Sequence, residues 1–141
     1  MQNEEEIAKH EPGTRTKERI RPTADRQEEI RSWARRAAAV ALELKAEDIH
    51  ILDMRELVTY TDFLVVCSAR SSRQARRISE EIGLKLKTEL GLRPDGTEGD
   101  ASAEWILLDY LDFIVHIFTA DKREFYRLDV LWKEASVETV A

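Results

Sequence analysis

Glu104-Trp-Ile-Leu-Leu-Asp-Tyr-Leu-Asp-Phe-Ile-Val-His-Ile-Phe118 is the densest apolar run in this 141-residue chain. After Glu104, only Asp109, Tyr110, Asp112 and His116 interrupt it. Ile, Val, Phe and Trp suit a pleated, half-buried surface, and aspartates suit strand ends and turns. The pattern predicts two strands, residues 105–109 and 113–118, reversing at Tyr110-Leu111. Tight hairpin turns favour Gly or Asn because they need positive φ, and Leu111 is neither.

Upstream of the hairpin, Phe63-Leu-Val-Val-Cys67 is an unbroken apolar run, as expected of an interior strand covered on both faces. Ser71-Ser-Arg-Gln74 then matches a capping box. Ala75, Ile78, Ile82, Leu86 and Leu90 follow at helical spacing, and Gly91 stands where a left-handed C-terminal residue belongs, with Pro94 shortly after. A strand, a helix and a strand near Trp105 make a β-α-β unit. A right-handed crossover is expected to leave those two strands parallel. The hairpin then adds an antiparallel neighbour, so the expected fold is a single compact α/β domain with a mixed sheet flanked by helices.

Nearer the start, Thr23 can cap a helix reaching about Lys45, with Asp25 in its first turn and Ile30, Trp33, Ala37, Val40, Ala41 and Leu44 on one face. Trp33 lies on that stripe and reads as a packing residue. Residues 49–53 read as a strand. Asp121-Lys-Arg-Glu124 opens a short helix with Phe125, Leu128, Leu131 and Trp132 as its apolar positions. Residues 1–22 mix acids and bases evenly around Pro12, Gly13 and Pro22, and read as a mobile extension. The domain is expected over 23–135, with 136–141 frayed.

The net charge of −6 argues against general affinity for nucleic acid phosphates. The charge is unevenly spread. Residues 71–91 carry a net +2, including Arg73, Arg76 and Arg77, whereas residues 92–112 carry a net −5. The acidic block runs into the hairpin and reads either as a docking field for a basic partner or as a solvated loop. No stretch approaches the length of a membrane span, and the first residues lack the basic start and apolar core of a secretory signal. The one cysteine, Cys67, cannot form an internal disulfide, which suits a reducing, cytoplasmic setting.

Reaction chemistry finds little support. Gly96 and Gly99 lack the lysine of a phosphate loop, no serine sits in a nucleophile elbow, and His10, His50 and His116 are scattered. His116, inside an apolar strand, reads as an outward-facing or satisfied core histidine. Asp62, Asp109 and Asp112 are candidates to converge on a metal in a nucleotidyltransferase or phosphohydrolase, but nothing is present to hold substrate phosphates. Trp105, Tyr110 and Tyr126, with Glu98, Asp109 and Asp112 around them, make a better protein-binding surface. For Trp105, exposure and core packing both remain open. Arg73, Arg76 and Arg77 are candidates for a peripheral RNA contact, or a solvated face.

Several segments, in order, resemble the Iojap-related ribosomal silencing factors. They are Thr61-Asp62-Phe63 through Cys67-Ser68, Ser72-Arg73-Gln74, Glu98-Gly99, Trp105, Leu107-Leu108-Asp109-Tyr110, Asp112, Val115-His116-Ile117-Phe118, Arg123, Tyr126, Leu128 and Leu131-Trp132. The resemblance covers about residues 25–135. This chain departs from the family pattern at Leu111 and at Ala69-Arg70, where glycine is usual. The resemblance implies a domain related in shape to nucleotidyltransferases but without their catalytic residues, and no cofactor. It further implies binding to the large ribosomal subunit through its subunit-interface protein fourteen, steric blockage of small-subunit joining, and repression of translation when nutrients are short. A homodimer when free is also implied. The competing functions are a metal-dependent nucleotidyltransferase or phosphohydrolase using Asp62, Asp109 and Asp112, and assembly of the large subunit through contact with its RNA.

Overall fold

The computed structural model describes residues 20–99, 101–126 and 132–141, with Phe125 and Tyr126 described in backbone only. The expected extension over 1–22 lies outside these residues for all but 20–22, as do Leu128 and Leu131.

Helix α1 spans Ala24–Glu43. The Thr23 hydroxyl accepts the Arg26 amide, and the helix buries Ile30, Ala34, Ala37, Ala38, Val40 and Ala41. It ends where Lys45 adopts φ 69°. Helix α2 spans Ser72–Leu90. The Ser71 hydroxyl accepts the Gln74 amide at 3.1 Å, as the capping-box pattern predicts. Gln74 reaches back one residue further than expected: its Oε1 accepts the Arg70 amide, and its Nε2 donates to the Leu44 carbonyl at 3.0 Å. One side chain thus ties the start of α2 to the end of α1. Gly91, at φ 69°, closes α2 as predicted.

The strands are β1 Glu47–Asp53, β2 Phe63–Ala69, β3 Gly96–Gly99, β4 Trp105–Asp109, β5 Phe113–Thr119 and β6 Ser136–Thr139, in the sheet order β3-β4-β5-β2-β1-β6. The hairpin of β4 and β5 stands as predicted. Its placement corrects the expected β-α-β unit, because β2 pairs in parallel with β5, and β4 is antiparallel to both. A tight reversal lets only one arm of a hairpin run parallel to β2. The seven-residue β5 matches the seven residues of β2 along their whole length, which the five-residue β4 cannot do.

Two strands were not legible in the sequence. The acidic stretch before the hairpin contains β3, paired with β4 from Gly96↔Asp109 to Gly99↔Ile106. A Cβ on Gly99 would stand 2.4 Å from the Trp105 carbonyl oxygen, so this close approach requires glycine. The expectation of a frayed 136–141 is also corrected. Those residues form β6 on the open edge of β1, with Ile49 bonding to Val140 and Ala141 through the backbone. Arg35 of α1 grips Glu138 at 3.0 Å.

Helices α1 and α2 cover one face of the sheet, over Ile49, Phe63, Val65, Ile106, Val115 and Ile117 among others. The opposite face buries Leu52, Leu64, Val66, Trp105, Leu107, Ile114 and Phe118, with Val58, Tyr60 and Trp132 packed against them. Helix α3, Ala120–Tyr126, leaves β5 on this side. Among the described residues, no helix is long and apolar enough to cross a membrane.

Candidate partner-binding surface

The hairpin tip is built by its aspartates. Asp109 Oδ1 accepts the Leu111 amide at 2.8 Å, and the Tyr110 amide donates to the Phe113 carbonyl at 3.0 Å. Leu111 sits at φ 69°, the conformation for which glycine is the ordinary choice. The Asp62 amide donates to the Asp112 carbonyl, locking the tip to the start of β2.

The sequence candidates divide on burial. Trp105 is 7% exposed, its Nε1 donating to His116 Nδ1 at 3.1 Å and its ring parallel to those of His116 and Phe118. Packing therefore prevails over exposure for Trp105, and His116 is a satisfied core histidine. Asp109 is fully buried, its carboxylate serving the turn. Tyr110 is buried and stacked on Phe113 with ring centroids 4.8 Å apart. Among the described residues its hydroxyl has no hydrogen-bond partner, and burial pushes the phenol up to about 12. Asp109 and Tyr110 thus shape the hairpin and do not present themselves to a partner. Glu98, opposite Leu107 on edge strand β3, and Asp112 are half-buried and reachable. The Tyr126 side chain lies outside the described residues.

One cleft of about 620 Å³ brings several candidates together. The second and third turns of α2 give it Arg76 and Glu80, and the β3–β4 edge gives it Glu98, Ala103, Trp105 and Ile106. Ile106, on the α2 side of the sheet, lies at its floor under a rim carrying both signs of charge, whereas the Trp105 side chain packs on the opposite face. Asp112 stands at the other end of β4 and is not part of it. Arg73, Arg76 and Arg77 are exposed along the start of α2.

The aspartates behind the enzymatic alternative do not assemble a site. Asp62 and Asp109 are buried at the hairpin end of the sheet, and no metal-holding group of His, Cys, Asp or Glu occurs among the described residues. Burial pushes the Cys67 thiol up to about 12, with the Arg123 charge opposing only in part, so it is a poor nucleophile.

Sequence reasoning missed two arrangements. Arg123 is buried, its guanidinium donating to the Asp48 carbonyl at 2.8 Å and to Ser68 Oγ at 3.2 Å, so α3 is pinned beneath β1 and β2. Asp53 pairs with Arg55 at 2.6 Å and Arg31 at 3.8 Å, and both guanidinium groups lie against the Phe63 ring. Arg31 and Arg55 gave no signal beyond an arginine beside an apolar residue, and Arg123 entered only through the family resemblance.

A mixed-sheet body whose polar groups mostly hold its own turns, with a cleft at one sheet edge, has the make-up of a binding factor. The chain belongs to the ribosomal silencing factor family: the family described as "Ribosomal silencing factor during starvation" matches residues 27–141. It is 36% identical over 99 residues to "Ribosomal silencing factor RsfS" of Bacillus subtilis, covering 70% of this chain and 83% of that one. A mouse protein named "Mitochondrial assembly of ribosomal large subunit protein 1" is 28% identical over 90 residues, which is 62% of this chain and 39% of that protein. A crystal structure of a Chromobacterium violaceum protein superposes with a TM-score of 0.67 at 30% identity, covering 81% of this chain and 92% of that one. The family comprises ribosome-associated regulators of translation, not enzymes.

Proposed function

We propose that this protein binds the large ribosomal subunit through that subunit's protein fourteen and, by its bulk, keeps the small subunit from joining, so that translation falls when nutrients are limiting. The family match over residues 27–141 carries this reading. No chemistry is needed, because a bound body at the subunit interface suffices, with occupancy set by affinity and concentration.

The docking surface is the cleft between α2 and the β3–β4 edge, with Glu98 on its rim and Ile106 beneath. The Glu80 and Glu98 carboxylates on this mixed rim suit the long side chains of a basic ribosomal protein, whose stems cover the apolar floor while their heads meet the carboxylates. Asp112, at the far end of β4, adds to steering rather than to the cleft. A peripheral RNA contact belongs to the arginines of α2. Free of the ribosome, the same surface would serve to pair two copies of the chain, and the protein would work in the cytoplasm.

The test is sedimentation of purified large subunits with the protein, followed by addition of small subunits and magnesium. Co-sedimentation with loss of joined ribosomes is the expected result. The mouse relative's name favours a second reading, a role in assembling the large subunit. Binding that leaves subunit joining intact would select that reading, and absence of binding would refute both.

A further inference from the structure

We infer that Arg73, Arg76 and Arg77 form an RNA-phosphate contact that flanks the protein-docking cleft, an inference that rests on the ribosomal reading above. Most arginines of the described residues are matched to acceptors. Arg26 is ion-paired with Glu29, Arg31 with Glu28 and Asp53, Arg35 with Glu138, Arg36 with Glu89, Arg55 with Asp53 and Arg70 with Glu47. Arg21 and Arg123 donate to backbone carbonyls. Arg73, Arg76 and Arg77 are exposed and make none of these bonds, although Glu80 and Glu81 lie one turn on from Arg76 and Arg77. That order, cation before acid, is the weaker one for a helical i,i+4 pair.

The spacing i, i+3, i+4 sets the three guanidinium groups on one face, opposite the buried stripe of Ala75, Ile78, Ile82 and Leu86. They occupy the first two turns of α2, where the helix dipole reinforces positive charge instead of offsetting it. Among the described residues Arg93, in the connection after α2, is the one other exposed arginine that makes none of these bonds, so the three that stand in one row on α2 form a local anion-binding face on an acidic chain. Arg76 also lines the cleft, so this face continues directly into the docking surface. Forked guanidinium groups suit phosphate oxygens, and a large subunit presents phosphate wherever its proteins leave RNA uncovered. An acidic protein patch is the competing partner. A row of three cations of which only Arg76 reaches the cleft favours the polyanion.

The experiment compares the full chain with an Arg73→Gln/Arg76→Gln/Arg77→Gln variant and an all-lysine variant, measuring affinity for purified large subunits as salt rises, with ultraviolet crosslinking to ribosomal RNA in parallel. With three phosphate contacts, raising salt from about 50 to about 200 mM should weaken the unaltered chain roughly 20- to 40-fold more than the glutamine variant. The lysine variant should recover most of that salt dependence, and the RNA crosslink should vanish in the glutamine variant alone. An unchanged salt dependence would overturn the inference. So would a reduced one with crosslinks only to protein, which would assign the arginines to an acidic protein instead. Failure of the unaltered chain to bind at all would strike the ribosomal reading itself, so the two failures are distinguishable.

Discussion

Trp105 Nε1 donates a hydrogen bond of 3.1 Å to His116 Nδ1 across the central hairpin, with both rings buried. The bond requires Nδ1 to be an acceptor, which places the proton of the neutral imidazole on Nε2. It also separates Trp105 from the rim residues with which its sequence position had grouped it. Trp105→Ala removes a large side chain from the face that also holds Leu107 and Phe118, and should cost about 3–5 kcal/mol of stability. Glu98→Gln, on the cleft rim, should leave stability within about 0.5 kcal/mol while weakening large-subunit binding. Urea unfolding beside a sedimentation assay separates the two. A Trp105→Ala protein that melts normally but fails to bind would restore the tryptophan to the surface.

The contrast between these two residues shows what the sequence could and could not convey. Alternation along β4 reveals which residues share a face with Trp105, but not whether that face is covered. The cover comes from Val58, Tyr60 and Trp132, distant in sequence and carrying no periodic signal. Helix α2 was legible from its ends because Ser71 and Gly91 act on groups within a few residues of themselves. Strand β6 was not, since its partner β1 is more than eighty residues away and its clamp joins Arg35 to Glu138. The hairpin was legible by composition, while its place in the sheet depended on matching its longer arm to β2. Of the candidate site, Glu98 and Arg76 meet at the cleft, whereas Asp109 and Tyr110 turned inward because the reversal needs them there.

Tyr110 carries a buried hydroxyl without a hydrogen-bond partner among the described residues, a cost the fold bears. Tyr110→Phe should therefore raise stability by about 1 kcal/mol and keep the stack on Phe113. The alkaline limb should change as well. The folded phenol titrates near 12 against an ordinary 10.0, so the folded state holds its proton after the unfolded state has lost it. Stability from this group is complete below pH 10 and lost as pH rises toward 12, by roughly 2 kcal/mol. Denaturant titrations over that range should show the loss in the unaltered protein and a flatter profile in Tyr110→Phe.

Asp53 behaves in the opposite sense. Burial works against its ionisation, but the hydrogen bonds and charge of Arg55, with Arg31 beyond, outweigh this and hold the carboxyl below its ordinary 3.8. The unfolded state takes up the proton first on acidification. The stabilisation is thus present above about pH 4 and lost as pH falls through the lowered folded value. Asp53→Asn should cost roughly 1–2 kcal/mol at neutral pH and remove part of the acid-limb slope. An acid limb identical in the two proteins would show that the carboxylate does not carry that slope.

Leu111 offers the simplest gain in stability. Holding a side chain at φ 69° costs about 1–2 kcal/mol, and glycine relieves that strain while adding about 0.4–1 kcal/mol of backbone entropy to the unfolded chain. Leu111→Gly should therefore stabilise by up to about 1.6 kcal/mol. The Asp109 carboxylate would still receive the residue 111 amide, since glycine keeps that donor. Leu111→Val should destabilise, because a β-branched side chain tolerates positive φ least. Thermal melts of the three proteins should rank glycine first, leucine second and valine last. Any other order would mean that the leucine side chain, half-buried beside the tip, contributes packing that outweighs the strain of its backbone.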